Sequence, residues 1–271
     1  MPLLRLDHVC LRVADLEAAS DVFRRLGFTV SPGGRHGGGL TENALVHFED
    51  GSYLELLTFT KPRLASWLVR SGAARALMAR TSSHLKYRFL EAARYPEGLF
   101  DAALMVDDIF ELSHRLTALG VAHAPPRPFR RHTPNAVELR WNMVCPFDSA
   151  LPFVRDPFVP EARLRDEVTH HPNGATGIAE IHYAVSNPDA TQALWNALGD
   201  ADVRAAPEGA NRVTLGSSSL IIHPRESDDA WNGWVSSTRD KPVRVLLWTR
   251  HAGRRGPLAL PHHWHGALSL V

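Results

Sequence analysis

The chain has 271 residues, 22% of them charged, and its 30 Lys and Arg almost balance its 29 Asp and Glu. That balance supplies neither a basic field for nucleic acid nor a polybasic anchor for a membrane surface. No run reaches the roughly 18 apolar residues of a membrane span.

Met1-Pro2 leads directly into a strand pattern, so no secretory leader is expected. Cys10 and Cys145 are the only two cysteines. Both lie in apolar, strand-like surroundings, which predicts buried reduced thiols in a cytoplasmic protein and excludes a disulfide scaffold or a Cys-based zinc site. Histidine is plentiful at 15, which leaves imidazole ligation of a metal open.

In chain order, Leu3 to Val13 reads as a strand. Alternation puts Val9, Leu11 and Val13 on one face and Leu6, His8 and Cys10 on the other. Asp15 is placed as an N-cap; Leu16, Ala19, Phe23 and Leu26 then recur at helical spacing, and Gly27 stops the helix. Phe28 to Val30 restarts as a strand, and Ser31 to Gly39, with five glycines, reads as a loop. Ala44 to Phe48 and Ser52 to Phe59 are two more strands around the turn Glu49-Asp50-Gly51. Lys61 to Gly98 breaks the pattern. Leu64, Trp67, Leu68, Leu77, Met78, Leu85, Phe89 and Leu90 suggest two helices, broken near Ser71-Gly72 and Thr81–Ser83, whose arginines face solvent.

The first unit then recurs, and a repeat decides the architecture. Residues 99–109 parallel 6–16, Ile109, Leu112, Leu116 and Leu119 form the helix face, and Gly120 ends it. Val137–Val144 and Leu151–Val154 are the later strands. A third copy starts at Gly177, with Ile178–Val185, a helix to Gly199, and strands at Val213–Leu215 and Ser219–His223. Val243–Trp248 and Ala267–Leu270 suggest an incomplete fourth. The expected organisation is therefore α+β. Two βαβββ modules (1–60 and 99–156) with a helical insert (61–98) fill residues 1–160. A linker near 157–174 leads to a third module with an incomplete C-terminal extension over 175–271. One such module leaves a sheet face bare, and pairing two curls them into a half-barrel with helices outside and a polar cup inside.

Several stretches carry a resemblance: Leu6-Asp7-His8-Val9, Asp15-Leu16, Leu26-Gly27-Phe28, Gly33-Gly34-Arg35-His36, Asn43 and Tyr53-Leu54-Glu55-Leu56, with later matches at 138–141, 151–153 and 173–177. On these the chain resembles the vicinal oxygen chelate superfamily and, within it, glyoxalase-like proteins. The resemblance implies a cup in which the first and last strands of a module lie side by side, bringing His8 next to Glu55. It also implies a divalent metal ion (Zn, Mn, Ni, Fe or Mg) held by His8, Glu55 and Asp101, the last standing where His8 stands in the first module. Arg155, where Glu55 would recur, is a permanent cation and cannot ligate.

The resemblance further implies a lyase, isomerase or epimerase acting on a small oxygenated substrate, as a monomer or homodimer. Glu55 is then a candidate general base, and His36 a second imidazole on the glycine loop. Asn43, Arg35, Arg140 and Trp141 are candidate substrate contacts, beside Arg130 and Arg131. A second use of the same fold is a non-catalytic cup that sequesters a drug or metabolite.

Two plainer readings stay open at the residue level. His8 can be a core histidine, and Glu55, too costly to bury unpaired among Leu54 and Leu56, can be ion-paired to Arg155. Glu180 and His182 share one face in the third copy, but Ile221 stands where a second Glu55 would be. His262, His263 and His265 read as a solvated tail.

Overall fold

The computed structural model describes residues 4–36, 39–74, 84–132, 137–160, 166–198, 202–225 and 240–271. The first module runs β1 (Arg5–Arg12), α1 (Leu16–Arg25), β2 (Ser31–Arg35), β3 (Thr41–His47) and β4 (Tyr53–Phe59). Helix α1 begins because the Asp15 carboxylate accepts from the Glu17 and Ala18 amides, groups that have no carbonyl partner within the helix. Gly27, at φ +84°, ends it.

The insert follows as α2 (Pro62–Arg70) and α3 (His84–Glu91); its expected break at 81–83 lies outside the described residues. The second module repeats the order with β5 (Gly98–Met105), α4 (Ile109–Ala118), β6 (His123–His132), β7 (Glu138–Pro146) and β8 (Phe153–Arg155). Asp108 caps α4 as Asp15 caps α1.

These strands form one curled sheet of eight, in the order β2-β3-β4-β1-β5-β8-β7-β6. The modules join where β1 and β5 pair antiparallel, and within each the first and last strands pair parallel. The two edges differ from the sequence expectation. The glycine stretch 31–35 is strand β2, not loop, and Phe28–Val30 is not a strand. At the other edge β6 carries Pro125, Pro126 and Pro128. An edge strand needs only one row of hydrogen bonds, so glycine and proline persist there, and such strands read as loops by composition.

A short helix, α5 (Asp166–Thr169), leads to β9 (Ala175–Val185), α6 (Pro188–Leu198), β10 (Val203–Ala205), β11 (Asn211–Leu215) and β12 (Ser218–Pro224). Then come β13 (Lys241–Thr249), β14 (Gly256–Pro257) and β15 (Ala267–Leu270). They make a second sheet in the order β10-β11-β12-β9-β13-β15-β14. Here β13 pairs antiparallel with β9 and parallel with β15, as β5 does with β1 and β8. Between β13 and β15 only the 3-10 turn Ala252–Arg254 occupies the place of a module helix.

The stretch before β9 docks on the first module. His171 accepts from the Thr29 amide and donates to the His47 carbonyl, and Asn173 bonds Leu26 and Gly27. The convex face of the first sheet shares a core with the second, joining Val9, Leu11, Phe23 and Leu54 to Ile178, Ile181, Tyr183, Trp195 and Trp264. The concave face carries the insert: Ala65, Val69 and Leu90 pack on Leu57, Phe59, Phe100 and Phe153. Among the described residues no helix is long and apolar enough to cross a membrane.

Candidate functional site

The concave face encloses a cavity of about 390 Å³. Tyr53, Phe59, Phe89, Phe129, Trp141, Phe153 and Phe158 supply aromatic wall, and His8, His36, Thr41, Asn43, Glu55, Arg130 and Arg155 gather the polar groups. Phe89 and Leu90 come from α3, so part of the insert is a wall of the cup and not a solvated face. Its Arg88 is buried as well.

Glu55 sits on β4 with 5% exposure. Its Oε1 accepts from Asn43 Nδ2 at 2.5 Å and lies 3.5 Å from His36 Nε2. Its Oε2 lies 3.5 Å from His8 Nε2 and accepts from Cys10 Sγ at 3.4 Å. Burial opposes ionisation of this carboxyl, but contact with His8, the charge of His36 and the Asn43 amide hold its pKa down at about 2. The strand register differs in detail from the expectation. His8 stands opposite Tyr53, and Cys10 stands opposite Glu55, so His8 reaches Glu55 diagonally.

His8 is fixed from behind. Its Nδ1 bonds Asp7 Oδ2 at 2.7 Å, and its ring stacks on Tyr53 at 4.4 Å. Strict alternation would send Asp7 and His8 to opposite faces of β1. A register shift between Leu6 and His8 relaxes that constraint, and Leu6 joins the convex core instead of the cup. Burial disfavours a charged imidazole at position 8, yet hydrogen bonds to Asp7 and Glu55 raise its pKa to about 9. Arg155 closes the row, gripping Asp7 with both arms at 2.6 and 2.7 Å. Asp7 is therefore held well below the usual carboxylate range against its burial. The guanidinium expected opposite Glu55 is engaged by Asp7, and Glu55 is left to the imidazoles.

Room for Asn43 comes from the glycine edge. A Cβ on Gly33 would stand 2.0 Å from Asn43 Oδ1, so only glycine lets the amide reach Glu55 past β2.

Three expected site residues lie elsewhere. Asp101 does not join the group. Arg88 Nε and Nη2 hold its two oxygens at 2.6 Å each, and its Oδ1 also accepts from the Ala102 amide. Arg35 and Arg140 are about three-quarters exposed and pair with Glu42 and Glu138, because alternation turns both away from the cup. Trp141, Asn43 and His36 do line it. The side chain of Arg131 lies outside the described residues.

Sequence reasoning overlooked Asp7, Cys10, Tyr53 and Phe89. Asp7 and Cys10 carried a signal, a buried-strand carboxylate next to the candidate ligand and a thiol two residues from it on the same strand face. In the second sheet, Glu180 pairs with Arg212 and approaches His182, which bonds His223 at 2.8 Å; Ile221 lies opposite His182. His263 faces Glu97.

Among the described residues, His8, Cys10 and Glu55 form the group of potential metal donors whose ligand atoms all lie within 4.8 Å. Around a tetrahedral ion an oxygen and a nitrogen ligand stand roughly 3.4 Å apart and an oxygen and a sulfur ligand about 3.6 Å, close to the 3.5 and 3.4 Å that Glu55 Oε2 keeps from His8 Nε2 and Cys10 Sγ. Asp7 behind the imidazole is the arrangement that orients a ligating histidine. The donor set therefore fits a divalent ion.

A profile of the glyoxalase-like domain matches residues 6–199. The chain belongs to the glyoxalase-like domain family. Its architecture is that of the vicinal oxygen chelate superfamily, with an added sheet. Two solved structures illustrate the likeness. A hypothetical protein from Staphylococcus aureus is 16% identical, aligned over 99% of each chain, with a TM-score of 0.67. The Mn(II)-bound glyoxalase from Novosphingobium aromaticivorans is 9% identical, over 100% of this chain and 83% of its own, with a TM-score of 0.57. At such identities the family likeness is one of fold. No curated protein matches the chain.

Proposed function

We propose that this glyoxalase-like protein is a metal-assisted enzyme of lyase, isomerase or epimerase type. Its substrate is a small oxygenated molecule with an apolar, ring-sized body. The observation that carries this reading is Glu55, a buried carboxylate at the cup held ionised, with an imidazole nitrogen 3.5 Å from each oxygen and, among the described residues, no guanidinium paired with it.

His8 and Glu55 would hold the ion, which supplies Lewis-acid stabilisation for negative charge developing on a substrate oxygen. Asp7 holds the His8 ring through Nδ1 and leaves Nε2 facing the cup, while Arg155 keeps Asp7 ionised. Asn43 fixes the Glu55 carboxylate plane through Oε1. His36 is 41% exposed, and its Nδ1 bonds Thr41 Oγ1. Its Nε2 is therefore the group placed to exchange a proton between substrate and solvent. The aromatic wall binds the substrate's body and keeps bulk water away from the reacting carbon.

Metal analysis of protein purified without added metal tests this. Stoichiometric metal that disappears in both His8→Ala and Glu55→Ala supports the reading. Metal-free protein that still binds an aromatic ligand supports a second reading, sequestration of a drug or metabolite, which the seven aromatic side chains around the cavity favour. Small-molecule binding in the cup, to a monomer or a homodimer, is common to both.

A further inference from the structure

We infer that Cys10 is the third protein ligand of the cup's metal ion, making a His-Glu-Cys set built wholly from the first module and suited to thiophilic ions such as zinc or cobalt. The inference rests on the metal reading above and specifies it.

Three observations converge on Cys10. Among the described residues the second module gives no donor to the group, since both oxygens of Asp101 are held by Arg88 and Arg155 is bound to Asp7. Cys10 lies two residues beyond His8 on the same strand face and directly opposite Glu55 in the β1–β4 register. Its Sγ, fully buried, stands 3.4 Å from Glu55 Oε2, within the same 4.8 Å group as the His8 nitrogen. Imidazole, carboxylate and thiol would all meet the ion on the concave face, the sulfur at the end of the cup packed by Leu57, Phe59 and Phe153. Coordination exchanges the Sγ–H bond for an Sγ–metal bond, and the proton leaves to buffer. A thiolate donor favours zinc and cobalt, whereas magnesium, manganese and calcium prefer oxygen. An all-oxygen-and-nitrogen site would not discriminate so sharply.

Cobalt(II) titration of the full chain reads the sulfur directly, because a thiolate bound to cobalt adds a charge-transfer band in the near ultraviolet beside the visible ligand-field bands. Wild-type protein should show both, saturating at one equivalent. Cys10→Ser should keep the ligand-field bands, lose the near-ultraviolet band and bind cobalt at least about tenfold more weakly. Cys145→Ser, at the only other thiol, should match wild type. Far-UV circular dichroism verifies the fold of each, with Cys10→Ala as a second variant that adds no hydroxyl to the buried site. Cobalt bound without the near-ultraviolet band, or a band that survives in Cys10→Ala, overturns the role of Cys10 and leaves the His8–Glu55 site standing. Wild-type protein that binds no cobalt overturns the metal reading and this inference together.

Discussion

Arg88 from the insert helix closes on both oxygens of Asp101 at 2.6 Å, and its Nη1 donates to the Leu151 carbonyl at 2.9 Å. The second module's counterpart of His8 is thereby a structural anchor that ties α3 to the inner strand β5.

Removing one half of such a buried pair strands the other charge, so Arg88→Ala should destabilise the fold by about 3–5 kcal/mol. Arg88→Met with Asp101→Asn should be milder than either change alone, because no uncompensated charge remains. Urea denaturation of Arg88→Ala, Arg88→Met, Asp101→Asn and the double variant checks both statements. Equal losses in the single and double variants would mean that the pair does little beyond filling space.

Gly33→Ala tests the support of Glu55. The added methyl would have to displace Asn43, which donates to Glu55 Oε1 at 2.5 Å. The variant should remain folded and lose roughly 10- to 100-fold in metal affinity, the usual effect of removing a group that orients a ligand. Asn43→Ala should behave alike, and adding Gly33→Ala to it should cost little more. Isothermal titration with zinc compares the three.

Stability of the metal-free protein should fall on both sides of a plateau between about pH 4.5 and 6.5. The His8 pKa is raised from 6.5 to about 9 by Asp7 and Glu55, so its contribution is complete below 6.5 and is lost as pH rises through 9. The Glu55 pKa is lowered from 4.5 to about 2, so its contribution is present above 4.5 and is lost as pH falls towards 2. The alkaline arm should be worth on the order of 3 kcal/mol between pH 6 and pH 10. It should shrink in Glu55→Gln, and urea midpoints across the range measure it. A pH-independent midpoint above 6.5 would show that His8 is neutral in the fold.

Phe89 stacks edge-on against Phe153 and Phe100 and lines the cavity. Phe89→Ala should weaken binding of an aromatic probe such as anilinonaphthalene sulfonate by up to about tenfold, the scale of one aromatic contact. Metal content should not change. Unaltered probe affinity would place the ligand away from the insert.

Much of this fold was legible because its repeats are written in periodic apolar residues and helix stops. Asp15 with Gly27, and Asp108 with Gly120, bracket two equivalent helices, and strand β15 is where its composition put it. The edge strands β2 and β6 were not legible, since their glycines and prolines are what an unpaired edge tolerates. At the site, His8, Glu55, His36 and Asn43 stood out as polar residues in a fold with a known cup. The Asp7–His8 contact did not, because it depends on a strand irregularity that alternation conceals. Nor could the sequence show that Arg155 would choose Asp7 over Glu55, or that an arginine seventy-nine positions after Val9 would claim Asp101. Those choices are made by tertiary geometry.

The row Arg155, Asp7, His8, Glu55 alternates in sign, and with His8 protonated its formal charges cancel. A dication entering while His8 and Cys10 each release a proton leaves that sum at zero. The floor of the cup would then act as an ion exchanger, trading two protons for one metal without altering the field that a substrate meets. Acidification would unload it, by up to about a hundredfold in affinity per pH unit where both protons are exchanged.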